Sequence, residues 1–558
     1  MESWMTSGEG HPQRWRILGV LVVSLLIVVL DNTVLNIALP TIQRDLHATQ
    51  SELLWSVDSY MLVFASLLFT WGVVGDRYGR RKILLIGLVI FGVVSFAAAF
   101  SESASFLIGM RAVMGIGGAA VMPTTLAIIT VVFPPHERGK AIGAWAGSVG
   151  AAVALGPVLG GLLLEHPEWS NWLTGNDWGS VFLINVPIVI VGIIGIILVV
   201  PETRNPHARR LDIPGLVFSI TGLVLVVYGI IHASETKDWL APSVWIPGTI
   251  GVLVIAVWLF LEARSDHASF DVSLFANRGY SVALTSVSLA FFAMSGMTFV
   301  LPFYMQILRG YSTLQAGLSF LPFAIGQLIS APRSGHMVER FGYRKVMGVG
   351  LGLVIVALFG ISRIELDTPL WWILVLFFVY GIGMGNAIAP GSTVLQNVLP
   401  LARAGAGSAV QNTVRQVFGA LGVAIMGTVL ANQYADKLAP VLNSLPPQVP
   451  ADLKSAAAES LTATAMVLDG AAKQGMPAAL VEATRAGAYS AFLESMHTTL
   501  LISMGAVVLS FLILVFLLPH LTPPTKGGSI PDDSTIDERV ASETGRYAEE
   551  FAEEVDGQ

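Results

Sequence analysis

The sequence has no cysteine, which excludes disulfides, thiolate metal sites and cysteine nucleophiles. Charge is scarce as well. Asp, Glu, Lys and Arg make up 12% of the 558 residues, about half the share usual in a globular protein, while hydrophobic residues make up 54%. So few charges cannot cover the surface of a water-soluble chain of this size. Neither a Gly-rich phosphate loop ending in Gly-Lys-Ser/Thr nor a His-Glu-x-x-His string occurs, and the ten histidines are scattered. Nucleotide-driven pumping and zinc hydrolysis are therefore disfavoured, and no enzyme activity, cofactor or metal is expected. The formal charge of −7 resides in one place: residues 521–558 hold ten acids against three bases, and the remainder balances at 28 each. That leaves no basic field for nucleic acid. What is present is apolar length, and the chain reads as a polytopic membrane protein.

A hydrocarbon core of roughly 30 Å takes about 20 apolar residues of helix to cross. On that ruler the chain offers fourteen candidate spans, the first centred on 17–38 and the last on 498–519. The first run follows Arg14 and Arg16 and lacks a small-residue cleavage site, so it reads as a retained span. With the N-terminus inside, 18 Lys and Arg fall in inner loops and four, Arg44, Lys237, Arg309 and Arg363, in short outer ones. The expected plan is a cytoplasmic N-terminus (1–15), a six-helix bundle (16–201), a linker with two further spans (202–278) and a second six-helix bundle (279–519). Within the last, 432–496 is expected as an extracellular stretch of short surface helices. Residues 520–558 are expected as a disordered, acidic cytoplasmic tail.

The chain repeats itself. Gly72–Lys82 reads GVVGDRYGRRK and Gly335–Lys345 reads GHMVERFGYRK, in one register 263 residues apart. Gly115, Gly117, Gly118 and Pro123 are echoed by Gly381, Gly383, Gly385 and Pro390, and Arg138 by Arg403. Echoes at a nearly constant offset predict two parallel six-helix halves with a substrate site near the midplane between them. Short, basic inner loops are a plainer account that explains the shared register less well.

This six-plus-two-plus-six plan with GVVGDRYGRRK resembles the major facilitator superfamily, and within it the fourteen-helix drug:proton antiporter family, over most of residues 15–520. Further strings carry the resemblance: LDNTVLNIALP (30–40), WSVDSYML (55–62), RAVMGIGGA (111–119), AGSVGAAVALGPVLGG (146–161) and FLINVPI (182–188). Two departures stand out. Trp178-Gly179-Ser180 replaces the family's usual Trp-Arg-Trp, and Glu339 stands where the first half has Asp76. The resemblance implies an all-α fold of fourteen transmembrane helices, two six-helix bundles plus two extra central helices.

Four ionisable side chains fall inside spans: Asp31, Asp58, Arg111 and Arg415. Such groups are costly in lipid and usually face an interior or a water-filled cavity. Asp31 lies about 22 Å from the inner side, and Asp58 and Arg111 each lie about 10 Å from the outer one. Three charges on three helices thus share a level, as a proton-coupled site requires. A motion separating Asp31 from Arg111 would switch the acid between taking up and releasing a proton. A static pair that orients helices explains charge and depth equally. The resemblance favours the working pair, since in similar proteins the acid of the first-span motif and the Arg of the fourth span take part in proton coupling. Asp58 is expected to meet a cationic substrate or a second proton, or else to cap the helix near the outer interface. Arg415, flanked by Gln411, Asn412 and Gln416, is left between substrate contact, a pair with Asp31 or Asp58, and satisfaction of backbone carbonyls.

In the fifth span Gly147, Gly150, Gly156, Pro157 and Gly160 combine close helix contact with a bend. By resemblance, this Gly-Pro combination marks exporters. Also by resemblance, Gly72, Asp76, Arg77, Gly79 and Arg80, with Glu339, Arg340 and Gly342, form a conformational latch at the cytoplasmic face. Positive-inside anchoring is the plainer account. Soft side chains including Phe291, Phe292, Met294 and Tyr304 suit a permissive pocket for apolar cations, although packing explains most of them singly.

The reading is a proton-coupled antiporter that exports amphipathic or cationic small molecules across a bacterial plasma membrane by alternating access. Its expected partners are a small-molecule substrate, protons and membrane lipids, with no nucleic acid, and it is expected to act as a monomer. Two rivals remain. One is a dedicated exporter of an endogenous metabolite, antibiotic or lipid. The other is a non-transporting receptor or scaffold on the same fold.

Overall fold

Backbone polar groups in lipid must find partners within the chain, and helices do this segment by segment. A computed structural model describes residues 10–204, 212–264, 272–397, 404–445, 450–473 and 476–519, so the acidic tail lies outside the described residues. The first half comprises α1 (Arg14–Leu46), α2 (Gln50–Tyr78), α3 (Arg80–Ala98), α4 (Ala104–Val132), α5 (Pro135–Glu165) and α6 (Asn185–Val199). Then come α7 (Ile213–Thr236) and α8 (Pro242–Glu262). The second half comprises α9 (Arg278–Phe303), α10 (Leu321–Phe341), α11 (Tyr343–Ile361), α12 (Leu370–Asn397), α13 (Ala404–Asn443) and α14 (Ala478–Leu517). Among the described residues, twelve helices are long and apolar enough to cross a membrane, or thirteen when the two segments of α2 form one span. The fourteenth helix, α5, enters that measure only through its described apolar segment Leu155–Glu165, so the expected count of fourteen is not settled by it.

Helix ends follow local chemistry. Thr49 and Glu52 form a reciprocal capping box that opens α2, the Thr49 hydroxyl accepting from the Glu52 amide at 3.2 Å and the Glu52 carboxylate from the Thr49 amide at 2.9 Å. At the other end Gly79 stops α2 with φ +117°, and its repeat counterpart Gly342 stops α10 with φ +81°. Only glycine takes this backbone without strain. In the interrupted tenth span a short helix, Thr313–Ser319, precedes α10, and Pro322 opens the main segment. By contrast α13 is one continuous helix.

The sequence repeat is a packing repeat. A methyl on Gly117 would lie 2.6 Å from the Gly87 carbonyl oxygen, and one on Gly383 would lie 2.7 Å from that of Gly350. Likewise Gly115 meets the Tyr60 carbonyl and Gly381 that of Phe323. Backbone-to-backbone contact of this kind joins α3 to α4 and α11 to α12 in the same way.

We call the end carrying the α2–α3 and α10–α11 turns the basic face, and the opposite end the far end. The halves join toward the far end. Gln306 donates to the Ile37 carbonyl at 2.9 Å, and Thr313 to that of Gly161 at 3.1 Å. A methyl on Gly317 would reach the Pro157 carbonyl oxygen, so α5 and Thr313–Ser319 touch along their backbones. From α13, Thr428 and Asn432 donate to the Ile230 and Ala233 carbonyls of α7 at 3.1 and 3.0 Å.

The 432–496 stretch differs from expectation. At 40 residues each, α13 and α14 run about 60 Å, twice the hydrocarbon thickness, so both continue past the far end. With Ala451–Ala457 and Leu461–Lys473 they build a cap that buries Tyr434, Leu438, Leu442, Leu461 and Phe492. Gln43 of α1 donates to Ser460 of the cap at 2.9 Å. Alanine-rich sequence sustains helix without a lipid-facing apolar run, so hydropathy ended these helices too soon.

Candidate functional site

Asp31 and Arg111 meet as an ion pair between α1 and α4, with both side chains fully buried. A buried pair is tolerable only when the remaining donors and lone pairs are also met. They are. The Arg111 Nε donates to the Ser56 carbonyl at 3.1 Å, one terminal nitrogen donates to Asn32 Oδ1 at 3.2 Å, and the guanidinium lies 4.3 Å from the Tyr60 ring centre. The second Asp31 oxygen accepts from Asn185 Nδ2 at 2.9 Å, which also donates to Ser95 Oγ at 3.0 Å. Ser95 passes its own proton to the Phe182 carbonyl at 2.9 Å. One network therefore ties α1, α2, α3, α4 and α6 together. Sequence reasoning named Asp31 and Arg111 but not Asn32, Tyr60, Ser95 or Asn185. Asn185 carried a signal: an amide opening the otherwise apolar run Val186–Val199.

Asp58 does not join that pair. Ser56 and Tyr60 face Arg111, and Asp58, two residues from each, is rotated about 200° away. Its face of α2 is shared with Leu54, which packs on Gly427, and with Ala65, whose carbonyl accepts from Thr413 at 3.5 Å. Both partners belong to α13. Asp58 thus lies on the seam between the halves, about 12 Å from the far end of α2. It is fully buried, and neither carboxylate oxygen has a hydrogen-bond partner. The three charges expected at one level divide into a satisfied pair and an unsatisfied acid.

Arg415 pairs with neither aspartate. Its guanidinium lies 4.7 Å from the Phe291 ring centre, and its Nε is buried with no hydrogen-bond partner. Gln411 donates to Ser392 of α12 at 2.9 Å. Phe292 is buried, with its carbonyl against Gly422, while Met294 is half-buried. Tyr304 lies elsewhere. Thirteen residues past Phe291, about 20 Å along the helix, it is buried and its hydroxyl donates to the Glu365 carbonyl at 2.8 Å. Applied to the charged site, the repeat offsets place Met294, Leu321 and Phe377 where the first half has Asp31, Asp58 and Arg111. The halves share packing but not chemistry.

At the basic face Asp76 accepts from Arg80 at 2.8 Å, and Arg80 also reaches the Ala127 carbonyl at 3.3 Å. A methyl on Gly79 would strike the Glu202 carboxylate, which accepts from the Arg81 amide at 3.1 Å. Gly72 leaves room for Pro123 of α4. Arg77 and Arg340 lie beside the rings of Tyr78 and Phe341, and Glu339 is exposed. On α5, a methyl on Gly156 would fall on Thr33 Oγ1 and one on Gly160 against Val34, both on α1 just beyond Asp31. The Pro157 carbonyl lies against Gly317, whereas the surroundings of Gly147 and Gly150 are outside what the structure describes.

Known proteins agree with this architecture. The sequence model of the Major Facilitator Superfamily matches residues 21–423. The multidrug efflux pump LfrA of Mycolicibacterium smegmatis is 33% identical over 81% of this chain and 87% of its own length. The methyl viologen resistance protein SmvA of Salmonella typhimurium is 30% identical over 89% and 96%. The riboflavin transporter RibZ of Clostridioides difficile is 28% identical over 75% and 89%. In fold, the chain superposes with a TM-score of 0.66 on a bacterial homologue of the human lysosomal transporter Spinster in an inward-facing, unoccupied conformation. That match is 18% identical and covers 92% of this chain and 99% of the other.

Proposed function

The chain belongs to the major facilitator superfamily, and from that premise we propose that this membrane transporter is a proton-coupled antiporter exporting amphipathic or cationic small molecules by alternating access. The observation that carries the reading is Asp58, a buried carboxylate without a donor on the seam between the halves. An ionised carboxylate there costs several kcal/mol, and either a proton or the positive charge of a substrate removes the cost. Rotation of the halves about the α2–α13 seam exposes the group and lets the two exchange. Arg111 and Asp31 form the second element: a pair whose separation changes what Asp31 holds. Arg415, over Phe291, offers its free Nε donor to an acceptor on the substrate.

The relatives support the cargo class, since LfrA is named for multidrug efflux and SmvA for resistance to a viologen. A second reading is a dedicated exporter of one endogenous metabolite, antibiotic or lipid; RibZ, named for transport of a single compound, supports narrow cargo and leaves direction open. The basic face is cytoplasmic on this proposal, with both termini inside, in a bacterial plasma membrane whose lipids surround a working monomer. Asp76 and Arg80 act as the latch, with Glu339, Arg340 and Gly342 as its weaker counterpart.

The test is uptake of lipophilic cationic dyes into inverted vesicles, with and without an imposed proton gradient. Gradient-dependent accumulation that disappears in Asp58→Asn is the expected result. Accumulation indifferent to the gradient refutes proton coupling, and a panel in which only one metabolite moves supports the dedicated exporter.

A further inference from the structure

The cap, which meets α1 at Gln43 about 18 Å along the helix from Asp31, holds a half-open cavity of about 340 Å³. Leu445, Leu453, Val467, Leu468 and Leu480 supply its apolar wall. The hydroxyls in that wall are already engaged: Thr464 bonds Tyr434 and the Ala457 carbonyl, each at 2.6 Å, and Thr484 bonds the Leu480 carbonyl at 2.8 Å. Water in it finds few partners on the described walls, so covering them with an apolar chain is favourable. One polar group remains open. Lys454 makes a single long contact, 3.4 Å to the Leu445 carbonyl, and so keeps ammonium donors for something else. The volume lies in the lower range of small-molecule sites.

We propose that this cavity binds a single-chain anionic amphiphile, its aliphatic chain among the leucines and its head group on Lys454. Among the described residues the walls have no free hydroxyl or side-chain amide with which to select a polar body. An aliphatic chain fills them without loss. Lys454 then decides the head, taking a carboxylate or phosphate and gaining far less from an alcohol.

The test uses the full-length protein in phosphatidylcholine nanodiscs and a diazirine-bearing dodecanoate as the probe. Labelling is expected on peptides within residues 442–484. It should fall about tenfold with the matching dodecanol probe and in Lys454→Gln, as loss of one charge-assisted hydrogen bond predicts. Leu468→Trp, which fills the cavity, should abolish it. Lys454→Gln, at a half-buried position, carries the test alone where Leu468→Trp disrupts the cap. Excess dodecanoate and phosphatidylglycerol nanodiscs separate the two sources of this chemistry. Displacement by either supports the site and says whether a free acid or a membrane lipid fills it. Equal labelling by acid and alcohol, labelling unchanged by Lys454→Gln, or displacement by neither competitor overturns the proposal.

Discussion

Removing either member of the Asp31–Arg111 pair should destabilise the protein, and by unequal amounts. Both side chains are fully buried, and breaking such a pair from one side costs about 3–5 kcal/mol. What each survivor keeps decides where in that range it falls. After Asp31→Asn, Arg111 still has the Ser56 carbonyl, Asn32 and the Tyr60 ring. After Arg111→Met, Asp31 keeps only the Asn185 amide. The first change should therefore cost about 3 kcal/mol and the second about 5. The double variant removes both charges and should cost well under the sum, because no unpaired ion remains. Asn185→Ala should cost about 1–3 kcal/mol by leaving one Asp31 oxygen unmet. Unfolding midpoints of the four variants in nanodiscs, read as a double-mutant cycle, test this. Equal single losses that add in the double variant would refute the reasoning.

Asp58→Asn should impair efflux of lipophilic cations more than of neutral compounds of similar size, with Asp58→Glu partly active; equal losses on a resistance panel would move Asp58 from recognition to proton handling. Asp76→Asn removes a partly exposed pair worth under about 1 kcal/mol, so the fold should survive while turnover drops at unchanged substrate affinity. Binding and transport measured on one preparation check that, and a large fall in affinity at normal turnover counts against the latch. Gly156→Ala drives a methyl into Thr33 Oγ1, at a cost of about 1–3 kcal/mol, and should slow export of cations and neutral compounds alike. Recovery of export on adding Thr33→Gly, which removes both the Oγ1 and the Cβ that the methyl meets, is the check on that geometry.

The repeat was legible because it is written in loop glycines: GVVGDRYGRRK and GHMVERFGYRK predict two halves, and Gly79 and Gly342 end equivalent helices, α2 and α10, both at positive φ. The buried pair was legible too, since Asp31 and Arg111 are rare charges at matched depth. For Asp58 the sequence offered a depth and no neighbour. Counting residues along a helix gives height, whereas direction around it depends on which helix packs where, and a lone span does not reveal that α13 lies against Leu54 and Ala65. Asn185 escaped notice because an amide has no charge to mark it. The cap escaped because alanine-rich helix looks like surface when hydropathy alone is read.

The most direct measurement of the central claim is proton release by the purified protein in weakly buffered solution when a lipophilic cation is added. If Asp58 exchanges a proton for the cation, the wild-type protein releases protons in proportion to cation bound, and Asp58→Asn binds less cation and releases none. Cation binding without proton release in the wild type, or equal release from Asp58→Asn, contradicts the account.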